Sequence, residues 1–229
     1  MRARPAVGVR TMRVHLTEHD ARRLLVPGPL TLVTTRWRAA ENVMPAAWTT
    51  PLSAIPPLVG VCVHPSRHTH DMIRFSEEFA LNIPSPRLLN HAAYFGSVSG
   101  REVDKLDLSK LPTFRARRID APLLEGCVGW IECGLEDAIR LGDHTLFVGR
   151  VVAVQAEDTA YNEVWLLDDP EERPLHYLGG TWYAALERRL EARPPAQATP
   201  EYARELEERA REMEERAAEE RAEREERGE

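Results

Sequence analysis

Lysine is almost missing from this chain: Lys105 and Lys110 are the only two, and every other cation is an arginine. Cysteine is scarce as well, at Cys62, Cys127 and Cys133. An odd count with no CxxC pair speaks against a disulfide framework and fits reduced thiols used as small core residues. No apolar run reaches membrane-spanning length, and the arginines within residues 1–12 are followed by no apolar stretch, so neither a membrane span nor a secretory leader is expected. The expectation is a soluble, cytoplasmic protein whose folded part begins near Met12. Also missing are an HExxH spacing, a paired-carboxylate set, a Ser-His-Asp or Cys-His arrangement and a GxGxxG fingerprint. Whatever chemistry occurs here is not carried by a recognisable constellation of side chains.

Charge is distributed unevenly. Residues Thr199 to Glu229 hold 13 Asp/Glu against 7 Lys/Arg, a net −6 of the chain's −7. The body is therefore nearly neutral and lacks the basic footprint of a nucleic-acid partner. It can still hold a small anion with a few local cations. The tail opens with Thr199 and Pro200, a helix start, and then spaces Glu and Arg four apart, as in Glu205 and Arg209 or Glu220 and Arg224. Tyr202, Leu206 and Met213 make only a thin apolar stripe, which leaves a solvated helix or a partner-binding helix as its two readings.

The body reads as strands joined by short connections. "PGPLTLVTTRW" (Pro27 to Trp37) is a turn followed by a β-branched run. "NVMPAAWTTPLS" (Asn42 to Ser53) is a second extended stretch in which Pro45 and Pro51 suggest an edge. "LVGVCV" (Leu58 to Val63) is apolar enough for a strand buried on both faces. A short helix is expected from about Thr69, with Thr69 as N-cap, then a strand at Phe79 to Ser85 and a helix from Pro86 to Gly96. Cys127 to Ala138 and His144 to Ala156 form two more strands joined in a hairpin at Leu141-Gly142-Asp143. Strands outnumber helices, so the expected fold class is mainly β: an antiparallel barrel with small peripheral helices.

The stretch "VHPSRHTHDMI" (Val63 to Ile73) places three histidines close together. A metal site from His64, His68 and His70 would need their nitrogens to converge, yet positions 68 and 70 fall on different sides of a helix. Position offers another use. Ser66, Arg67, His68 and Thr69 follow a buried strand and open a helix, where free N–H groups, hydroxyls and a guanidinium together make a phosphate cradle. An ordinary capped turn is the plain alternative. A second donor-rich loop, "GSVSGREVDK" (Gly96 to Lys105), and the single flat indole of Trp48 could complete a site for a phosphorylated aromatic cofactor.

The order of blocks "PLTLVTT", "NVMPAAWTTPLSAIPPLVGVCVHPSRHTHDMI", "FALNIPS", "SGREVDK", "GDHTLFVGRVVAV" and "PLHYLGGTWY" resembles the flavin reductase-like, FMN-binding split-barrel proteins, nearest the flavoredoxin branch. The resemblance runs from about Pro27 to Tyr183, with residues 1–20 as an N-terminal extension, 21–192 as the barrel domain and 199–229 as the charged helical tail. It implies a homodimer with FMN in a groove near the subunit interface. Block by block, it implies that Ala46, Ala47, Trp48 and Thr49 flank the isoalloxazine, and that Ser66, Arg67, His68 and Thr69 bind the phosphate. Asn82 would lie close to the flavin, Ser99, Gly100 and Lys105 would close the site, and His144 would stand nearest the electron donor. His68 is then a cofactor neighbour, and His64 and His70 are structural. The implied activity passes electrons from NADH or NADPH through FMN to free flavin, ferric iron or a protein acceptor; a flavoredoxin-type carrier with no NAD(P)H reaction is the alternative.

Overall fold

The computed structural model describes residues 17–25 and 27–190 and, in the tail, Arg204, Glu208, Arg211 and Glu212. Those four tail residues are helical and exposed; the rest of the expected tail helix and residues 1–16 lie outside the described part. Among the described residues no helix is long and apolar enough to cross a membrane.

The body is mainly antiparallel β, as its alternating pattern predicted. Its strands are β1 (Thr31–Trp37), β2 (Ala40–Ala46), β3 (Thr49–Ser53) and β4 (Leu58–Val63). The helix α1 (His68–Ser76) follows, then β5 (Glu78–Pro84), α2 (Leu89–Ser97) and α3 (Lys105–Ser109). The long hairpin β6 (Cys127–Leu141) and β7 (His144–Ala156) turns on Gly142 at φ +59°, at the joint expected from the sequence. Finally β8 (Leu175–Gly179) and β9 (Trp182–Ala185) pair beside the short strand Gly28–Pro29.

Seven strands share one sheet in the order β2-β1-β5-β6-β7-β4-β3. β2 and β3 occupy opposite edges, yet only Ala47 and Trp48 separate them along the chain. Two edges joined by two residues must meet, so the sheet closes into a barrel that is split where the chain crosses between them. The stretch from Asn42 to Ser53 is thus two strands on opposite edges rather than one.

Period-two alternation sorts the strands' side chains into two cores. Val33, Ala46, Val61, Val63, Phe79, Leu81, Cys133 and Phe147 face inward from six strands and pack with Ile73 of α1. Leu32, Val43, Ala80 and Trp130 face the other way, where Ala92 and Phe95 of α2, Leu106 of α3 and the segment around Leu123 cover them. Leu123 and Leu124 pair with Phe114 and Thr113 in a short antiparallel ladder, and two carboxylates hold the loop between. Glu132, 1% exposed, accepts the backbone N–H groups of Arg117 and Arg118, and Glu78 accepts those of Asp120 and Ala121. Burial raises the Glu78 pKa above the usual carboxylate range.

Gly149 in β7 shows how tightly the interior is filled. A Cβ there would come 2.5 Å from Phe79 Cζ and 2.9 Å from Cys133 Cβ. Because added volume in a packed core forces its neighbours off their rotamers, Gly149→Ala is expected to cost about 1–3 kcal/mol of stability. Urea unfolding of the variant checks this, and an unchanged midpoint would mean that the interior has slack.

Candidate functional site

The chain leaves the barrel at Val63, turns through His64 to Ser66 and enters α1 with Arg67 as N-cap. No side chain caps the helix. Thr69 lies inside its first turn and does not serve as the expected cap; its hydroxyl accepts from Asn42 Nδ2 at 2.8 Å instead. The first N–H groups of a helix have no intrahelical acceptor and sit at the positive end of its dipole. That of His70 turns back to the Arg67 carbonyl at 3.0 Å, which leaves those of His68 and Thr69 for a ligand. The Ser66 N–H is spent elsewhere, on His64 Nδ1 at 3.1 Å.

The loop after α2 closes over this turn. Gly100 sits so close to β2 that a Cβ would overlap Asn42 Oδ1 and come 3.0 Å from His68 Cδ2. Arg101 ties the loop down, donating to the Ser66 carbonyl at 2.6 Å and to Asp71 Oδ2 at 2.5 Å. Lys105 enters from α3 with its side chain buried, and its ammonium donates to the Val43 and Phe95 carbonyls at 3.0 and 2.6 Å. An ammonium has three N–H groups, so one remains for the cavity that Lys105 lines.

These pieces enclose about 350 Å³. The structure brings Ser66, Arg67, His68, Thr69, Ser99, Gly100 and Lys105 to its wall together. Asn42 also lines it, and its Oδ1 is buried with no hydrogen-bond partner among the described residues. An orphaned buried acceptor beside a cluster of donors is an observation that wants a ligand. Burial, and after it the Arg101 charge, holds His68 below the ordinary imidazole pKa; it therefore offers a neutral N–H more readily than a charge.

Pro45, Gly96 and Ser97 lead from this cavity into a second of about 420 Å³. Its wall is flatter and more apolar, with Leu30, Ala47 and the edge-to-face pair Tyr177 and Tyr183, whose ring centroids are 5.4 Å apart. Tyr177 and Gly180 lead on to a third cavity, about 360 Å³, where Trp48 stands with Arg22 and Arg23. A phosphate cradle continuing into an aromatic slot suits a ligand that is anionic at one end and flat at the other.

Other residues singled out in the sequence fall elsewhere. Ala46 turns into the barrel core and Thr49 lines none of these three cavities, so only Ala47 and Trp48 of that stretch reach the groove. Asn82 is corrected outright. It is 0% exposed, its Nδ2 donates to the Leu32 carbonyl and Thr34 Oγ1, and its Oδ1 accepts from the Leu124 N–H. It binds three strands together and presents no surface to a ligand. His70 is buried against Thr145 and Phe147, in line with a structural role. His144 stands outside the cradle, its ring 4.8 Å from that of Trp48 and its Nδ1 2.7 Å from Asp143 Oδ1. His64, expected to be structural, packs edge-on against His144 at 5.2 Å. Asn42, Tyr177 and Tyr183 were absent from the sequence-derived site because nothing local marks a strand residue that faces a groove made by distant segments.

Comparison with known proteins bears on this groove. The flavin reductase like domain family matches residues 22–184. YddH, an uncharacterised protein of Escherichia coli K12, is 34% identical over 180 residues, which cover 76% of this chain and 95% of that protein. Among solved structures, an FMN-binding protein from Thermus thermophilus, crystallised with 1-cyclohex-2-enone, shares 33% identity over 80% of this chain and 99% of its own, with a TM-score of 0.67. The flavoredoxin of Desulfovibrio vulgaris (Miyazaki F) shares 25% identity over 85% of this chain and 99% of its own, with a TM-score of 0.66.

Burial, together with the nearby Arg67 charge, lowers the Lys105 pKa from 10.5 to about 8. A dianion beside it favours the charged form and raises that pKa again. Above pH 8 binding must therefore take up a proton, and affinity falls as pH rises from there toward 10.5. Calorimetry with sulfate, which stays a dianion throughout, is expected to show little proton uptake at pH 7 and nearly one proton at pH 9. Lys105→Met should abolish the difference, and equal uptake at both values would show that Lys105 keeps an ordinary pKa.

Proposed function

Because this chain belongs to the flavin reductase-like family, we propose that it is an FMN-dependent oxidoreductase that takes reducing equivalents from NADH or NADPH and passes them to free flavin, ferric iron or a protein acceptor. The observation that carries the reading is the groove: an uncapped helix N-terminus faced by a glycine-tight loop and a buried lysine, opening directly into an aromatic slot. FMN has one phosphate for the first and one flat ring system for the second. When bound, it would supply the hydride chemistry that no side-chain constellation in this sequence can.

In this reading the chain's residues bind and orient. The N–H groups of His68 and Thr69, the Arg67 guanidinium and the Ser99 hydroxyl hold the phosphate. Lys105 balances its charge, and the vacant Asn42 Oδ1 accepts a ligand hydroxyl. Ala47, Tyr177 and Tyr183 wall the ring, while Trp48 and His144 meet the donor at the far end. The similarity to a Thermus thermophilus protein that binds FMN supports this assignment over a purely structural turn. The protein acts as a homodimer here, and exposed apolar side chains on the hairpin, such as Ile139 and Val154, offer surface for it.

Arg67→Ala is expected to weaken FMN binding by about 1.5–3 kcal/mol, the value of one hydrogen bond to a charged group. Arg74→Ala, toward the other end of α1, should leave binding unchanged. Fluorescence titration of both variants measures this, with FAD binding more weakly than FMN because the cradle accommodates a single phosphate. Anaerobic mixing with NADH or NADPH should bleach the bound flavin. Tight FMN binding with no bleaching by either nucleotide would instead make the protein an electron carrier.

A further inference from the structure

The third cavity, about 360 Å³, belongs neither to the phosphate cradle nor to the aromatic slot. That volume lies within the range of about 300–1,000 Å³ usual for small-ligand sites. One wall is the short helix Ala21–Leu24, which carries Arg22 and Arg23, and another is the turn between β8 and β9. The two arginines differ in what they have left to give. Arg23 donates to Asp20 Oδ1 at 3.0 Å, whereas Arg22 has no carboxylate within ion-pair distance among the described residues. The other oxygen of Asp20 accepts the hydroxyl and the backbone N–H of Thr17, at 2.7 and 3.2 Å. Two guanidiniums against one carboxylate leave a single positive charge at the cavity, and the planar fork of Arg22 presents it.

The turn adds a donor. Gly180, at φ +58°, takes the first position of a two-residue hairpin loop between the paired Gly179 and Trp182, a place that needs a left-handed backbone and so favours glycine. In such a loop the central N–H groups stand outside the ladder, and that of Gly180 has no backbone acceptor among the described residues. The Gly180 carbonyl is already used, since it accepts the Tyr177 hydroxyl at 3.3 Å, so Tyr177 offers the cavity its ring and not a donor. Trp48, 38% exposed, supplies a second aromatic surface. A guanidinium fork matches a carboxylate in plane and in charge, and an aromatic face suits a flat ring. We infer that this cavity is a second ligand site, separate from the phosphate cradle, and that it takes an aromatic monocarboxylate. Arg22 and the Gly180 N–H hold the carboxylate, and Trp48 and Tyr177 flank the ring. A phosphate dianion would find its second charge unmatched here, because Arg23 is committed to Asp20. Tyr177 and Gly180 also line the aromatic slot, so the ligand lies at the outlet of the groove. The site goes beyond the redox reading and stands whether or not the groove holds FMN.

Calorimetry on the full chain, with and without FMN, compares benzoate with benzamide, which keeps the ring and loses the charge, and with acetate, which keeps the charge and loses the ring. Benzoate is expected to bind roughly tenfold more tightly than either, about the worth of one hydrogen bond to a charged group, and to weaken as salt is raised. Arg22→Gln should erase the preference over benzamide, while Arg23→Gln should retain most of it; both arginines are exposed, so neither substitution disturbs the core. In ¹⁵N-labelled protein benzoate should shift the Trp48 indole N–H, assigned with Trp48→Phe, and leave that of the buried Trp130 in place. Equal affinity for benzoate and benzamide, unaltered benzoate binding in Arg22→Gln, or release of FMN by benzoate would overturn the inference. FMN binding and bleaching by NADH in a protein that takes no benzoate would overturn it alone. Arg22-dependent benzoate binding in a protein that takes no FMN would leave it standing and overturn the redox reading.

Discussion

The two-residue crossing at Ala47 and Trp48 is the constraint on which the rest of this structure depends. It joins opposite edges of a seven-stranded sheet, so the sheet has to curl round until the two edge strands meet at the crossing, split rather than paired with each other. It also breaks the alternation of the strand at the right place. Ala46 faces the barrel core, Ala47 faces the groove, and Trp48 stands at the far end, where its carbonyl accepts the N–H of Cys62 at 2.9 Å. The groove therefore follows the split in the barrel.

The cradle is built on that frame by short polar links between segments far apart in sequence. Asn42 on β2 reaches Thr69 on α1, Gly100 lies flat against Asn42, and Arg101 spans from its loop to Ser66 and Asp71. The Arg101 pair is exposed on both sides and adds little to stability. Its value is positional, since it holds two donor-bearing loops at one distance. Lys105 is the more costly element: a buried cation held by two backbone carbonyls has lost part of its hydration, and an anion in the cavity would offset that cost.

A site of this kind explains why the sequence shows no catalytic set. The barrel provides a groove with an anion-binding end and a flat, aromatic end, a shape that suits a cofactor carrying its own reactivity. At the far end Trp48, His64, His144 and Asp143 gather three rings and one carboxylate. Nothing in the barrel core requires two imidazoles there.

Local patterning was enough to reveal the strands, the hairpin at Gly142 and the donor character of Ser66 to Thr69 and of the loop ending at Lys105, because backbone preference, alternation and loop chemistry are properties of neighbouring residues. Membership of the split-barrel family was legible from six ordered blocks for the same reason. Asn82 shows where such reading stops: an asparagine in a strand near other site blocks looks available, and only the packed fold reveals that Leu32, Thr34 and Leu124 consume its amide. His64 shows the converse. In sequence it has no partner ring, and only the β4–β7 register that sets Thr145 opposite Val63 brings it against His144, eighty positions away. The sequence by itself determined which residues could donate, accept or stack, since that is a matter of chemical type. Which of them remain free to do so was decided only by tertiary structure, because each buried polar group must find a partner and the folded chain alone settles which partner it finds.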